Sequence, residues 1–134
     1  MRRRTMNTIP SILLIEDNPD HIFLTQRAIE DTWQDVRLYI AHDLSEARVM
    51  LNRLNSPAHF DVLLATIDPR NSERLARLCQ LREFPALHRA IFVALVSSTR
   101  DQEMAHAANP PFNRIVLKPL RAETLRGIML DTAL

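Results

Sequence analysis

Apolar and polar positions along the chain fall into short blocks that alternate between two periods. Ser11-Ile-Leu-Leu-Ile15 is a short apolar run that follows Pro10 and closes on Glu16-Asp17-Asn18-Pro19. A run of that length, bounded by turn residues, predicts a buried parallel strand. Pro19 suits the first turn of a helix and Asn18 its N-cap. Ile22, Phe23, Ala28 and Ile29 then recur at helical spacing, and the pattern fades near Asp31-Thr32. Val36–Ala41 alternates and is rich in β-formers, which predicts a second strand. His42-Asp43 opens a second helix with Leu44, Ala47, Val49, Met50, Leu51 and Leu54 inside, broken by Asn55-Ser56-Pro57-Ala58. Phe60–Ile67 reads as a third strand and Asp68–Ser72 as a loop, and Leu75, Ala76, Leu78, Cys79 and Leu81 mark a third helix. Pro85 interrupts before Ala90–Val96, a fully apolar fourth strand. Ser97-Ser98-Thr99 caps a helix running to about Ala108, which Asn109-Pro110-Pro111 stops. Ile115–Leu117 is a fifth strand, and 121–133 a last helix with Leu125, Ile128, Met129 and Leu130 turned inward.

Five strands alternating with five helices, with strands apolar on both faces, predict an α/β fold. The sheet is doubly wound and parallel, because crossovers between parallel strands are right-handed. The simplest strand order is 2-1-3-4-5, the flavodoxin-like arrangement. Residues 1–10 read as a flexible basic N-terminus and 11–134 as one domain. Functional residues of such folds lie beyond the carboxyl ends of the strands. Here those ends carry Glu16-Asp17, Ala65-Thr66, Val96-Ser97 and Lys118.

Composition narrows the function classes. The 134 residues are 46% hydrophobic and 25% charged with a net charge of +1, so bulk electrostatics favours neither nucleic acid nor a membrane surface. Trp33 and Tyr39 are too few for a base-stacking platform. Apolar runs are strand-sized, and none predicts a membrane span. The basic start, Met1-Arg2-Arg3-Arg4, lacks the apolar stretch of a signal peptide. One cysteine, Cys79, excludes an internal disulfide and fits a reducing cytoplasm; on its helix it reads as core rather than nucleophile. A single glycine, Gly127, excludes a glycine-rich nucleotide loop. His21, His42, His59, His88 and His106 have no metal-ligand spacing. Arg70, Arg74 and Arg77, with Arg82 beyond, form a basic stripe that reads as a solvated face.

The chemistry lies in the strand ends. Glu16, Asp17 and Asp68 bring carboxylates towards one crevice, and hard oxygen ligands suit Mg²⁺. Lys118 offers a cation to a phosphoryl group. Glu16-Asp17-Asn18 also has a plain structural use, since it ends a strand and places negative charge at a helix N-terminus. Lys118 equally serves as the partner of a buried carboxylate.

These residues resemble response-regulator receiver domains over nearly the whole chain, from Ile12 to Leu130. Ile12-Leu-Leu-Ile-Glu-Asp-Asn-Pro-Asp-His21 is similar to single-domain receivers of the phytochrome-associated type. His42-Asp-Leu-Ser-Glu-Ala47 resembles the start of the family's second helix, and Val116-Leu-Lys-Pro119 the end of its fifth strand. The resemblance implies that Glu16 and Asp17 are the acidic pair that holds Mg²⁺, that Lys118 is the lysine touching the phosphoryl group, and that an aspartate ends the third strand as phosphoacceptor. No aspartate stands there. Counting from Asp61 places the slot at Thr66; counting back from Pro69 places it at Ala65. The hydroxyl switch of the fourth strand maps to Val96, with Ser97 after it on the opposite face, and the aromatic switch of the fifth maps to Ile115.

The resulting expectation is a degenerate receiver, or pseudo-receiver, of a two-component system. It is not an enzyme and works as a phosphorylation-independent interaction module. No cofactor is required, with at most weak Mg²⁺ at Glu16, Asp17 and Asp68, and Lys118 is a vestigial phosphoryl contact. Expected partners are a histidine kinase, a phytochrome-like sensor or an adaptor, plus a second copy through the face formed by helix 4, strand 5 and helix 5, where Leu120, Leu125, Ile128 and Met129 exceed what one sheet face requires. With no output domain in these residues, function rests on binding, although Leu134 lies near a helix end and is compatible with a longer protein. The alternatives are a phosphorylatable receiver with a displaced acceptor, Asp68 or Thr66, and a flavodoxin-like cofactor-binding domain. The last is disfavoured because Glu16-Asp17-Asn18-Pro19-Asp20 offers a phosphate negative charge and one amide too few.

Overall fold

Five parallel strands form one sheet in the order β2-β1-β3-β4-β5 in the computed structural model, which describes residues 9–54, 59–108 and 112–133. The strands are β1 (Ser11–Ile15), β2 (Arg37–Ala41), β3 (Val62–Thr66), β4 (Ile91–Val96) and β5 (Arg114–Leu117). Between and after them run α1 (Pro19–Thr32), α2 (Leu44–Arg53), α3 (Ser72–Cys79), α4 (Thr99–Ala108) and α5 (Ala122–Ala133), with two short 3₁₀ turns at Gln80–Glu83 and Pro85–Leu87. The predicted fold class, strand order and element count are those observed. The basic residues 1–8 and the breakers at 55–58 and 109–111 lie outside the described residues.

Local chemistry accounts for the boundaries. Asn18 caps α1, its side-chain oxygen accepting from the N–H groups of Asp20 and His21. Asp43 caps α2 by accepting from Glu46 N–H, and Asn71 caps α3 by accepting from Arg74 N–H.

The period of two along the strands divides the core into two layers. On one side Ile12, Leu14, Val62, Leu64, Val93 and Leu95 pack with Ala28 and Ile29 of α1 and Leu125 and Ile128 of α5. On the other, Leu13, Leu63, Ala65, Phe92, Ala94 and Val96 pack with Ala47 and Leu51 of α2, Leu78 of α3 and Ala105 of α4. Any residue just past a strand end therefore has its side chain directed to one layer or the other by parity alone.

Three expectations about helix faces change. Phe23 is 58% exposed, because the inward arc of α1 runs through Thr25, Ala28 and Ile29. Val49 is also exposed. On α5 and its approach, Leu120, Leu125 and Ile128 are buried in the core and Met129 packs against it, whereas Leu130 is 68% exposed. The apolar residues expected to supply a dimer face are thus consumed by packing against the sheet.

The arginine stripe is also dispersed. Arg70 reaches Asp68 and Asp101, Arg77 lies 3.7 Å from Glu73, and Arg82 stacks on Phe92 with its guanidinium 3.9 Å from the ring centroid.

Candidate functional site

Glu16, Thr66 and Lys118 each follow or end a strand, and parity sends all three to the α1/α5 side. Ile15 pairs with Ala65 in the β1–β3 ladder, so the next residues, Glu16 and Thr66, stand side by side. Val96 pairs with Leu117 in the β4–β5 ladder, and Lys118 N–H continues it by donating to Val96 O at 2.8 Å. The Lys118–Pro119 bond is cis.

The three side chains meet at one carboxylate. Glu16 is 2% exposed. Its Oε1 accepts from the Thr66 hydroxyl and from the Lys118 ammonium, the latter at 2.6 Å. Its Oε2 accepts from Asn18 N–H at 3.2 Å. Lys118 also donates to His21 Nδ1 at 3.0 Å. An ammonium has no acceptor, so Nδ1 carries the lone pair and the ring proton sits on Nε2. Burial pushes the Glu16 carboxyl pKa up. The hydrogen bonds from Lys118, Thr66 and Asn18 N–H, with the Lys118 charge, outweigh burial and leave it below the usual glutamate value.

Of the two residues that the sequence left open for the end of β3, Thr66 faces this cluster. Ala65 packs in the opposite layer. Val96 is likewise buried in the opposite layer, and Ile115 packs against it. Ser97 lines a cavity together with Lys118, His21, Leu24, Thr25 and Pro119. Adjacency in the strand turns Ser97 away from Val96, as the sequence implies, and that turn brings it to the Lys118 side, where the hydroxyl switch mapped to Val96 does not reach.

The carboxylates expected to share a metal do not converge. Asp17 is exposed and lines a separate polar cleft with His42, Asp43, Asn71 and Arg74. Asp68 is turned to Arg70, accepting from its backbone N–H at 3.0 Å and lying 3.3 Å from its Nε. Among the described residues no group of three His, Cys, Asp or Glu side chains is placed to hold a metal ion. The residues present do not fit Mg²⁺: Glu16 already carries a lysine and a hydroxyl on the same oxygen, and its expected co-ligands point elsewhere.

The start of α1 and Cys79 each have their own local environment. The amides that might cradle a phosphate at the start of α1 are taken, since Asn18 Oδ1 accepts from Asp20 N–H and His21 N–H. Cys79 is half-buried on α3, and burial pushes its thiol pKa up against the opposing charge of Arg82.

His21 escaped the sequence reading, where it was one of five scattered histidines. Its position in the first turn of a helix that starts at the end of β1 was the available signal. Arg70 and Asp101 were also missed. The Arg70 Nη1–Asp101 Oδ1 contact of 3.0 Å ties the loop after β3 to the first turn of α4, and nothing in the sequence pairs a loop residue with a helix residue 31 positions on.

No protein-family model matches the sequence, and no curated protein does. Solved structures do. The bacteriophytochrome response regulator AtBRR matches over 95% of both chains, with TM-score 0.74 and 26% identity. The bacteriophytochrome response regulator RtBRR matches with TM-score 0.73 and 23% identity, over 95% of this chain and 80% of that one. The chemotaxis response regulator CheY4 of Vibrio cholerae matches with TM-score 0.68 and 17% identity, over 95% of this chain and all of its own. The architecture is the receiver fold. In this receiver fold, the crevice beyond the sheet holds Thr66, Glu16 and Lys118 as one bonded cluster. Among the described residues, no helix is long and apolar enough to cross a membrane.

Proposed function

We propose that the protein is a pseudo-receiver of a two-component system, an interaction module that works without phosphorylation at an aspartate. The observation that carries this reading is the closed cluster at Glu16. Thr66 stands at the end of β3 with its hydroxyl donated to Glu16, and Lys118 is spent on the same oxygen. A neutral hydroxyl is a poor nucleophile without a general base, and accepting a phosphoryl group from phosphohistidine calls for an ionised carboxylate. Asp68, the displaced candidate, is bonded to the Arg70 backbone N–H and paired with its guanidinium. Lys118 is then a structural cation, with its old role vestigial.

The partner is read as a histidine kinase, a phytochrome-like sensor or an adaptor, in line with the likeness to two bacteriophytochrome response regulators. A second copy through the α4–β5–α5 face is the other expected partner; among the described residues Leu117 and Leu130 are the large apolar side chains exposed there.

The test is incubation with a small phosphodonor and Mg²⁺, followed by intact mass and peptide mapping. The expected result is unmodified protein. A stoichiometric phosphate adduct at Asp68 or Thr66 would overturn the reading. A pull-down comparing the wild type with Lys118→Ala then asks whether the same partners are held when the cluster is opened.

A further inference from the structure

The cavity beside the cluster has a composition that core packing does not explain. It measures about 230 Å³ and is lined by His21, Leu24, Thr25, Ser97, Lys118 and Pro119. Leu24 and Pro119 make its walls apolar. Two of its polar groups, Thr25 and Lys118, are deeply set yet under-used.

Thr25 is the first of these. It is 4% exposed and lies on the inward arc of α1. Thr32, on the same helix, returns its hydroxyl to the carbonyl of Ala28 at 2.8 Å. The Thr25 hydroxyl has no hydrogen bond to any other described residue. No buried side-chain oxygen among the described residues lacks a partner, so this oxygen is accessible, and the lining places that access in the cavity. A buried hydroxyl without a partner costs about 1–3 kcal/mol, and one kept on a cavity wall retains the option of an external partner.

Lys118 is the second. Its side chain is 10% exposed. An ammonium has three N–H donors, and Glu16 Oε1 and His21 Nδ1 take one each. Among the described residues the remaining donor has no protein acceptor. Ser97 adds an exposed hydroxyl at the rim.

Charge decides the class of occupant. The Lys118 cation is balanced by Glu16 at 2.6 Å, and His21 accepts from Lys118 as an uncharged ring. An anion entering the cavity would approach the Glu16 carboxylate with no unbalanced cation to meet it. A neutral acceptor, such as a carbonyl or hydroxyl oxygen, takes the third Lys118 donor and the Thr25 hydroxyl without that cost. Volume limits its size, because drug-sized ligands occupy pockets of roughly 300–1,000 Å³.

We propose that this cavity is a binding site for a small neutral molecule with a compact apolar body and a carbonyl or hydroxyl oxygen, held by Thr25 and the third donor of Lys118. The inference stands apart from the pseudo-receiver reading and does not need it. A ligand here draws on the same ammonium that neutralises Glu16, so occupancy couples to the cluster.

Isobutyramide serves as the probe, with its anionic isostere isobutyrate as the comparison, each titrated into the full-length ¹⁵N-labelled protein. Isobutyramide is expected to shift the backbone amides of His21, Leu24, Thr25 and Ser97 saturably. Thr25→Val keeps the shape and removes the hydroxyl, and is expected to weaken binding about threefold to tenfold. Thr25→Ser keeps the hydroxyl and is expected to retain most of the affinity. Isobutyrate is expected to bind more weakly than the amide. Absence of saturable shifts in the wild type, unchanged affinity in Thr25→Val, or isobutyrate binding as tightly as isobutyramide would each overturn the proposal.

Discussion

Lys118 and Glu16 stand 102 residues apart in the chain and 2.6 Å apart in the fold. Both are buried, so the pair sits where its charges are weakly screened and where either charge alone is costly. Its value to the fold is asymmetric: the intact pair is nearly neutral against an apolar replacement, and a half-removed pair is strongly destabilising.

Lys118→Ala is therefore expected to lose about 3–5 kcal/mol of stability by urea denaturation, because Glu16 is left ionised and buried. The double variant Glu16→Gln/Lys118→Met removes both charges and is expected to recover most of that loss. If the double variant is as unstable as the single one, the pair is not the source of the effect.

Acid is expected to weaken the fold through the same carboxylate. The folded Glu16 pKa lies below its unfolded value. Its contribution is therefore fully present above the unfolded pKa and disappears as pH falls through the folded one. The stability gap between the wild type and Glu16→Gln is expected to be largest near neutrality and to shrink as pH drops below the ordinary glutamate range. A gap that is constant or grows on acidification would show that Glu16 is not the titrating group.

Thr66→Asp places a second carboxylate against Glu16 where a hydroxyl donor stood. The variant is expected to be about 1–3 kcal/mol less stable than the wild type at neutral pH. Protonation of either carboxyl relieves the repulsion, so the deficit is expected to narrow as pH falls. Thr66→Val removes the donor without adding charge and is expected to cost about 1 kcal/mol. Equilibrium unfolding of both variants across pH separates repulsion from a lost hydrogen bond.

Arg70→Ala is expected to loosen a loop more than it destabilises the whole. Arg70 is more than half exposed, so its pairing contributes about 1 kcal/mol or less to global stability. Its loss frees the 68–71 loop from Asp101, and amide hydrogen exchange is expected to rise there and in the first turn of α4 while β1 and β3 keep their protection. Uniform acceleration across the sheet would contradict this.

The sequence disclosed the fold because its strands are short apolar runs and its helices carry legible caps. Asn18 bonds the amides that its position predicts, and Asp43 and Asn71 do the same at the next two helices. Strand order followed from chirality and from apolar strands on both faces. The site was legible as far as parity goes: Glu16, Thr66 and Lys118 were each placed at strand ends, and a register rule sends them to one layer. What was not legible was the loop chemistry. Asp68 is in the right stretch of sequence for a metal set, yet Arg70, two residues later, turns it aside. His21 acquires its role from a lysine that arrives through β5. Leu120, Leu125 and Ile128 read as surplus apolar surface because the sequence does not reveal how much of the sheet α5 must cover.

The cluster at Glu16 also has a mechanical consequence. β5 is the outermost strand on its side of the sheet, four residues long, and β3 and β4 lie between it and β1. The Glu16–Lys118 pair passes over both and straps the edge to the sheet's interior. Peeling β5 away requires tearing a buried ion pair as well as a short ladder. The edge strand is thereby fastened at its carboxyl end, and fraying there costs the pair as well as the ladder.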